Sequence, residues 1–110
     1  MKRFVQALDL KDDPGVVDAY VAHHARVWPD VEQSLRRIGI ERMDIYLIGR
    51  RLVMVMDTDD GFDRGTAFAA HLADPKCLEW EELMQTFQQR VPGAREGEWW
   101  ADMIQVYQLR

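Results

Sequence analysis

The sequence predicts an α+β domain with one antiparallel sheet and helices packed on one of its faces. Three observations lead there. Strand-like runs that alternate or stay apolar occur at residues 3–10, 43–49, 51–57 and 99–109. Helix-period segments separate the first run from the second and the third from the fourth. With 110 residues and 47% hydrophobic composition, the chain has material for one modest core and none for a second domain.

In "RFVQALDL", Phe4, Gln6, Leu8 and Leu10 share one side and Arg3, Val5, Ala7 and Asp9 the other, as in a strand with both faces partly covered. "KDDPG" then supplies a helix start, with Asp13 as N-cap and Pro14 at the first helical position, where its missing N–H costs nothing. Apolar spacing through Val17, Tyr20, Val21, Trp28, Val31, Leu35 and Ile38, with His24 in the same series, predicts one buried helical face ending at Gly39. Pro29 interrupts that pattern and predicts a kink or break near Trp28.

"MDIYLIG" and "RLVMVMD", joined through "GRR", predict an antiparallel hairpin. "DTDDGFDRG" is a polar loop. "TAFAAHLADP" predicts a short helix closed by Pro75, and "KCLEWEELMQTFQQRV" a longer one closed by Pro92. After the loop "PGAREGE", "WWADMIQVYQL" predicts the last strand. The resulting βαββαβ order is the ferredoxin-like split pattern, and its helices cover only one sheet face. A second subunit laying its own sheet on the other face is the economical cover, so a homodimer is expected.

Composition excludes several classes of function. A net charge of -5 with dispersed carboxylates offers no basic footprint, so nucleic acid is not expected as a partner. Cys77 is the only cysteine, which removes any internal disulfide framework or thiolate metal site and fits a reducing compartment. "MKRFVQALDLKDD" reaches Asp9 before an apolar run attains signal or membrane-span length, so a cytoplasmic chain with no membrane partner is expected. Four Trp, three Tyr and four Phe exceed what so small a core buries easily, which assigns some of them to a pocket or a subunit interface.

On a wheel of about 100° per residue with Tyr20 at the origin, His24 falls about 40° away and Trp28 about 80°, inside the buried arc. His23 lands at the stripe's edge and is expected to look outward. Two readings of His24 stand open: a core histidine satisfied by Tyr20 or a backbone carbonyl, or a proton shuttle lining a cavity between helix and sheet. The Tyr20 hydroxyl, one turn away, orients either the imidazole or a substrate hydroxyl. Trp80 either packs its helix on the sheet or stacks on a sugar while Glu81 or Glu82 accepts sugar hydroxyls. "DTDD" reads as a solvated turn, since it lacks the glycine and distal glutamate of a calcium loop. His71 reads as a helix-end surface residue. With no Gly-rich phosphate loop, serine elbow or paired cysteines, no cofactor and no covalent nucleophile are expected.

Tyr20, His24, Trp28 and Pro29 in "YVAHHARVWP", then "IYL" at 45–47 and "CLEWEELM" at 77–84, resemble the L-rhamnose mutarotase family in order, spacing and position over nearly the whole chain. The resemblance implies a ferredoxin-like subunit paired into a dimeric α/β barrel. It also implies interconversion of the α and β anomers of a 6-deoxy sugar without cofactor or metal. The histidine matching His24 is then the proton donor, the tyrosine matching Tyr20 contacts the sugar, and the tryptophan matching Trp80 belongs to the pocket. Two substrate-binding positions depart from the rhamnose-specific pattern: Met43 stands in place of a tyrosine and Glu81 in place of a second tryptophan. A site that trades an aromatic face for a carboxylate prefers a different arrangement of hydroxyls.

"DPKCLEWEELM" and the Trp-rich last strand are similar to the branch associated with L-fucose, which places L-fucose ahead of L-rhamnose. The expected mechanism has protonated His24 donating to the ring oxygen while water or a carboxylate such as Glu81 takes the anomeric proton. The rival readings are a cofactor-free or haem-dependent monooxygenase of the dimeric barrel type, with a helical histidine in its pocket, and a non-enzymatic small-molecule binding module.

Overall fold

Alternation along the first strand decides the architecture. In the computed structural model, which describes residues 1–110, β1 (Lys2–Leu10) pairs antiparallel with β3 (Arg51–Thr58) in a register from Lys2↔Thr58 to Asp9↔Arg51. The even-numbered side faces the helices, where Leu8, Leu10, Leu52 and Met56 are all but completely buried. Each of these large side chains contributes about 1.5–3 kcal/mol by leaving water. β2 (Ile40–Ile48) pairs with the far side of β3, while β4 (Gln88–Gln89) and β5 (Ala101–Asp102) both pair with β1. The order β2-β3-β1-β4, every pair antiparallel, is the ferredoxin-like arrangement that the sequence predicts.

Four helices cover one face: α1 (Val16–His24), α2 (Pro29–Arg37), α3 (Arg64–Leu72) and α4 (Pro75–Gln85). The main core gathers Leu10, Tyr20, Val31, Leu52, Cys77, Trp80 and Met84, and a second cluster joins Ile40, Met56 and Phe62. The register puts Val5, Ala7, Val53, Val55 and Tyr46 together on the opposite face, with no helix above them. Bidentate pairs frame that strip, Arg3 to Asp57 at 2.6 and 2.9 Å and Arg51 to Asp9 at 2.9 and 3.1 Å. No helix is long and apolar enough to cross a membrane.

Several boundaries differ from the sequence reading, each for a local reason. The first helix begins at Val16 with Gly15 as N-cap, not at Pro14 behind an Asp13 cap, because Gly15 takes φ of 81° and so breaks the helical path there. Pro29 produces a full break rather than a kink. It occupies the first position of α2 behind an extended Trp28, where its ring meets no preceding turn. Pro75 likewise opens α4, capped by Asp74, instead of closing the previous helix, and α3 begins at Arg64 behind an Asp63 cap.

α4 stops at Gln85 rather than running to Pro92, because residues 88–89 are claimed by the β1 edge. The last strand is only two residues long, not the eleven of "WWADMIQVYQL". The Met103 N–H still bonds the Val5 carbonyl at 2.8 Å, but beyond it the chain leaves the sheet with Ile104, Val106 and Leu109 exposed. A strand-like pattern becomes a strand only where a neighbour supplies the ladder.

Candidate active site

Helix α1 places Tyr20 and His24 one turn apart on its inner side, with ring centroids 4.3 Å apart and planes tilted by 31°. The His24 Nδ1–H donates to the Tyr20 backbone carbonyl at 2.9 Å. In the neutral ring that bond leaves Nε2 as the lone-pair nitrogen. One nitrogen of His24 is thus satisfied by a backbone carbonyl, as the core reading expects, and Nε2 has no such bond. Tyr20 and His24 line a cleft of about 350 Å³ between α1 and the hairpin, opposite Ile45, Leu47 and Leu52. The cleft is mostly apolar with a few polar atoms, the usual character of a small-molecule pocket.

Helix α4 backs this pair. Trp80, only 7% exposed, meets the rings of His24 at 5.6 Å and Trp28 at 5.1 Å, both edge-on. Its indole thus holds the imidazole from behind. His23 does not look outward: it packs against Trp80 at 6.2 Å and Phe87 at 5.6 Å. The wheel puts it at the stripe's edge, and α4 reaches that edge. Glu81 is half-buried, and its Oε1 accepts from Gln85 Nε2 at 3.3 Å. Met43 shares the helix-facing side of β2 with Ile45 and Leu47 but packs on the cluster of Ile40, Met56 and Phe62. The structure thus brings Tyr20, His24 and Trp80 together, sets Glu81 beside them on α4, and places Met43 in the second core.

Burial shapes the protonation of the group. It pushes the His24 imidazole below its ordinary range, against the opposing pull of the Tyr20 carbonyl and with help from His23. The Tyr20 phenol is pushed up by burial, which the Gln88 amide partly offsets and Glu81 reinforces. Burial likewise raises the Glu81 carboxyl, with the Gln85 hydrogen bond opposing. At neutral pH the imidazole is therefore mainly neutral and poised to accept a proton.

Two residues stand elsewhere than the sequence suggests. His71 is not on the surface but 5% exposed, and its Nδ1 lies 2.7 Å from the Ser34 hydroxyl, in the contact between α2 and α3. Gln88, to which the sequence reading gives no role, and Trp99, which it leaves open between a pocket and a subunit interface, stand behind Tyr20. Gln88 is hidden in the sequence because "TFQQRV" continues the helical pattern, and only the three polar residues between Phe87 and Val91 hint at an edge strand. The acidic loop is engaged in structure: Asp57 holds Arg3, Asp60 meets the N-terminal amine, and the Asp59 N–H bonds the Gly39 carbonyl. No group of three or more His, Cys, Asp or Glu side chains gathers in a metal-binding arrangement.

Comparison with known proteins bears on the family and the fold. The sequence profile of the L-rhamnose mutarotase family matches residues 3–109. A UPF0734 protein of Dictyostelium discoideum is 38% identical over 112 residues, covering 98% of this chain and 90% of that protein. An L-fucose mutarotase of Xanthomonas campestris is 36% identical over 111 residues, covering 99% of this chain and 89% of its own. The crystal structure of an L-rhamnose mutarotase from Formosa agariphila superposes with a TM-score of 0.70 over 100% of both chains at 18% identity, a likeness of fold. A match to the family profile from the first strand to the exposed tail, joined to relatives aligned end to end, shows that this chain belongs to the L-rhamnose mutarotase family.

Proposed function

We propose that the protein interconverts the α and β anomers of a 6-deoxy-L-hexose, L-fucose in preference to L-rhamnose, with His24 as the proton-transfer group. The observation that carries this reading is the inward imidazole, tied at Nδ1 and free at Nε2, beside a phenol in a cleft of monosaccharide size. A neutral Nε2 takes the proton of the anomeric hydroxyl, the bond from C1 to the ring oxygen breaks, and C1 becomes an aldehyde. The ring oxygen takes its proton from the Tyr20 phenol, which an alkoxide readily deprotonates. After rotation about C1–C2, reclosure on the other carbonyl face reverses both transfers and restores His24 and Tyr20. His24 is thus a donor only with a proton it has first collected, because burial holds its resting form neutral.

The choice of L-fucose is supported by the name of the Xanthomonas relative and by Glu81 beside the site, a carboxylate suited to sugar hydroxyls. Met43, within the second core, acts on specificity by shaping the β2 wall. Mutarotation proceeds slowly in water, so one oriented base and one oriented donor suffice, and no cofactor is required. A homodimer is part of the reading. Its support is the uncovered sheet strip and the apolar tail residues that a lone subunit leaves in water. The buried free thiol of Cys77 suits a cytoplasmic protein.

Saturation transfer between the anomeric protons of L-fucose and of L-rhamnose tests the assignment. Wild-type protein is expected to accelerate exchange, faster with L-fucose, and His24→Gln to slow it on the order of 100-fold or more while sugar binding persists. Absence of enzyme-dependent exchange with both sugars would refute the function.

A further inference from the structure

The Tyr20 hydroxyl has one protein partner, the side-chain amide of Gln88. Gln88 is 4% exposed on β4, where its backbone is opposite Leu10 of β1. The two ends of its amide face different groups. Trp99 Nε1–H donates to Oε1 at 2.8 Å, and Nε2 donates to the Tyr20 hydroxyl oxygen at 3.3 Å.

The direction of this chain is forced by its first member. An indole N–H can only donate, so the amide must turn its oxygen to Trp99 and its NH2 to Tyr20. A phenol oxygen that accepts from an NH2 group has its own single proton left for another acceptor. Tyr20 also lines the cleft beside His24, where a sugar oxygen is the acceptor at hand.

We propose that Gln88, oriented by Trp99, is a positioning residue that presents the Tyr20 phenol to the sugar as a hydrogen-bond donor. The proposal rests on the anomer-exchange reading of the site and adds to it the group that sets the polarity of its tyrosine. Because Trp99 lies in the segment before β5, Gln88 on β4 and Tyr20 on α1, the relay joins three parts of the chain behind one catalytic oxygen. A buried amide kept only for packing would have no reason to be read in one direction.

Gln88→Glu reverses the polarity at almost constant shape. A carboxylate only accepts, so it takes the Trp99 N–H on one oxygen and the Tyr20 O–H on the other, turning the phenol proton away from the sugar. Its exchange kcat is expected to fall on the order of 10- to 100-fold, with KM changing far less. Trp99→Phe, which keeps an aromatic ring but frees the amide to rotate, is expected to lie between that variant and wild type.

The decisive measurement is the double-mutant cycle with Tyr20→Phe. Once the hydroxyl is gone, adding Gln88→Glu is expected to cost nothing further. Near-wild-type exchange in Gln88→Glu, or an equal loss with and without the Tyr20 hydroxyl, overturns the proposal. Should Gln88→Glu not fold, Trp99→Phe combined with Tyr20→Phe gives the same cycle. Failure of the underlying reading is distinct: wild-type protein then exchanges neither sugar, and the positioning role falls with it.

Discussion

At the scale of single residues, the two nitrogens of His24 stand in different surroundings. Nδ1 holds the ring by its bond to the Tyr20 carbonyl, and Nε2 is the nitrogen to which the proposed mechanism gives proton exchange. Because burial lowers its pKa below the ordinary 6.5, exchange by a neutral base is expected to be fully developed at neutral pH. The rate should fall as pH drops through the folded-state pKa, which lies on the acid side of 6.5. An exchange profile measured by NMR from acid to neutral pH checks this, and a rate that rises on acidification would contradict it.

The other buried imidazole serves the fold. His71 is also lowered by burial, against an opposing Asp74 charge, and its hydrogen bond to Ser34 satisfies two buried groups at once. Both histidines bind protons more weakly in the folded chain than in the unfolded one. The stability tied to their neutral forms is therefore present above about pH 6.5 and lost as pH falls through their folded-state values. Ser34→Ala, which orphans His71, is expected to destabilise by about 1–3 kcal/mol in denaturant titration. The same variant should leave anomer exchange per folded molecule unchanged.

At the scale of elements, prolines and glycines decide where helices stop and start. Pro29 and Pro75 each sit at the first position of a helix, where a proline is tolerated, and so turn one long amphipathic pattern into α1 and α2 and fix the beginning of α4. The break after His24 leaves the histidine in the last turn of α1, next to the cleft instead of inside a continuous helix.

Gly39 makes the next turn into β2 with φ of 108°, and a Cβ there would lie 2.6 Å from Asp59 Oδ2. Gly39→Ala must both strain the backbone and displace Asp59, so it is expected to cost about 1–3 kcal/mol of stability. A thermal melt measures it, and an unchanged midpoint would show that the α2–β2 turn relaxes freely.

At the scale of the molecule, the sheet is covered on one side only. Val5, Ala7, Val53 and Val55 make a flat apolar strip between two bidentate ion pairs, suited to receiving another sheet in a defined orientation. In the proposed homodimer, Val55→Lys puts a charge in that interface. It is expected to convert dimers to monomers in sedimentation velocity while far-ultraviolet circular dichroism remains native. A wild-type protein that sediments as a monomer at micromolar concentration would remove the dimer from the account.

The sequence by itself determined the βαββαβ outline and the inward side of α1, because alternation and helical periodicity are local properties written every two or every 3.6 residues, while the family was legible separately, in the motifs "YVAHHARVWP", "IYL" and "CLEWEELM". The inward placement of Tyr20 and His24 was legible on that basis, while Trp80 stood open between packing its helix and lining a pocket. Tertiary structure decided the rest. Whether 103–110 forms a strand, whether His71 is covered, whether His23 meets α4 and whether Gln88 reaches Tyr20 all depend on partners distant in the chain. A hydrogen bond or a ladder needs both of its members in place, and only the packed fold brings them there.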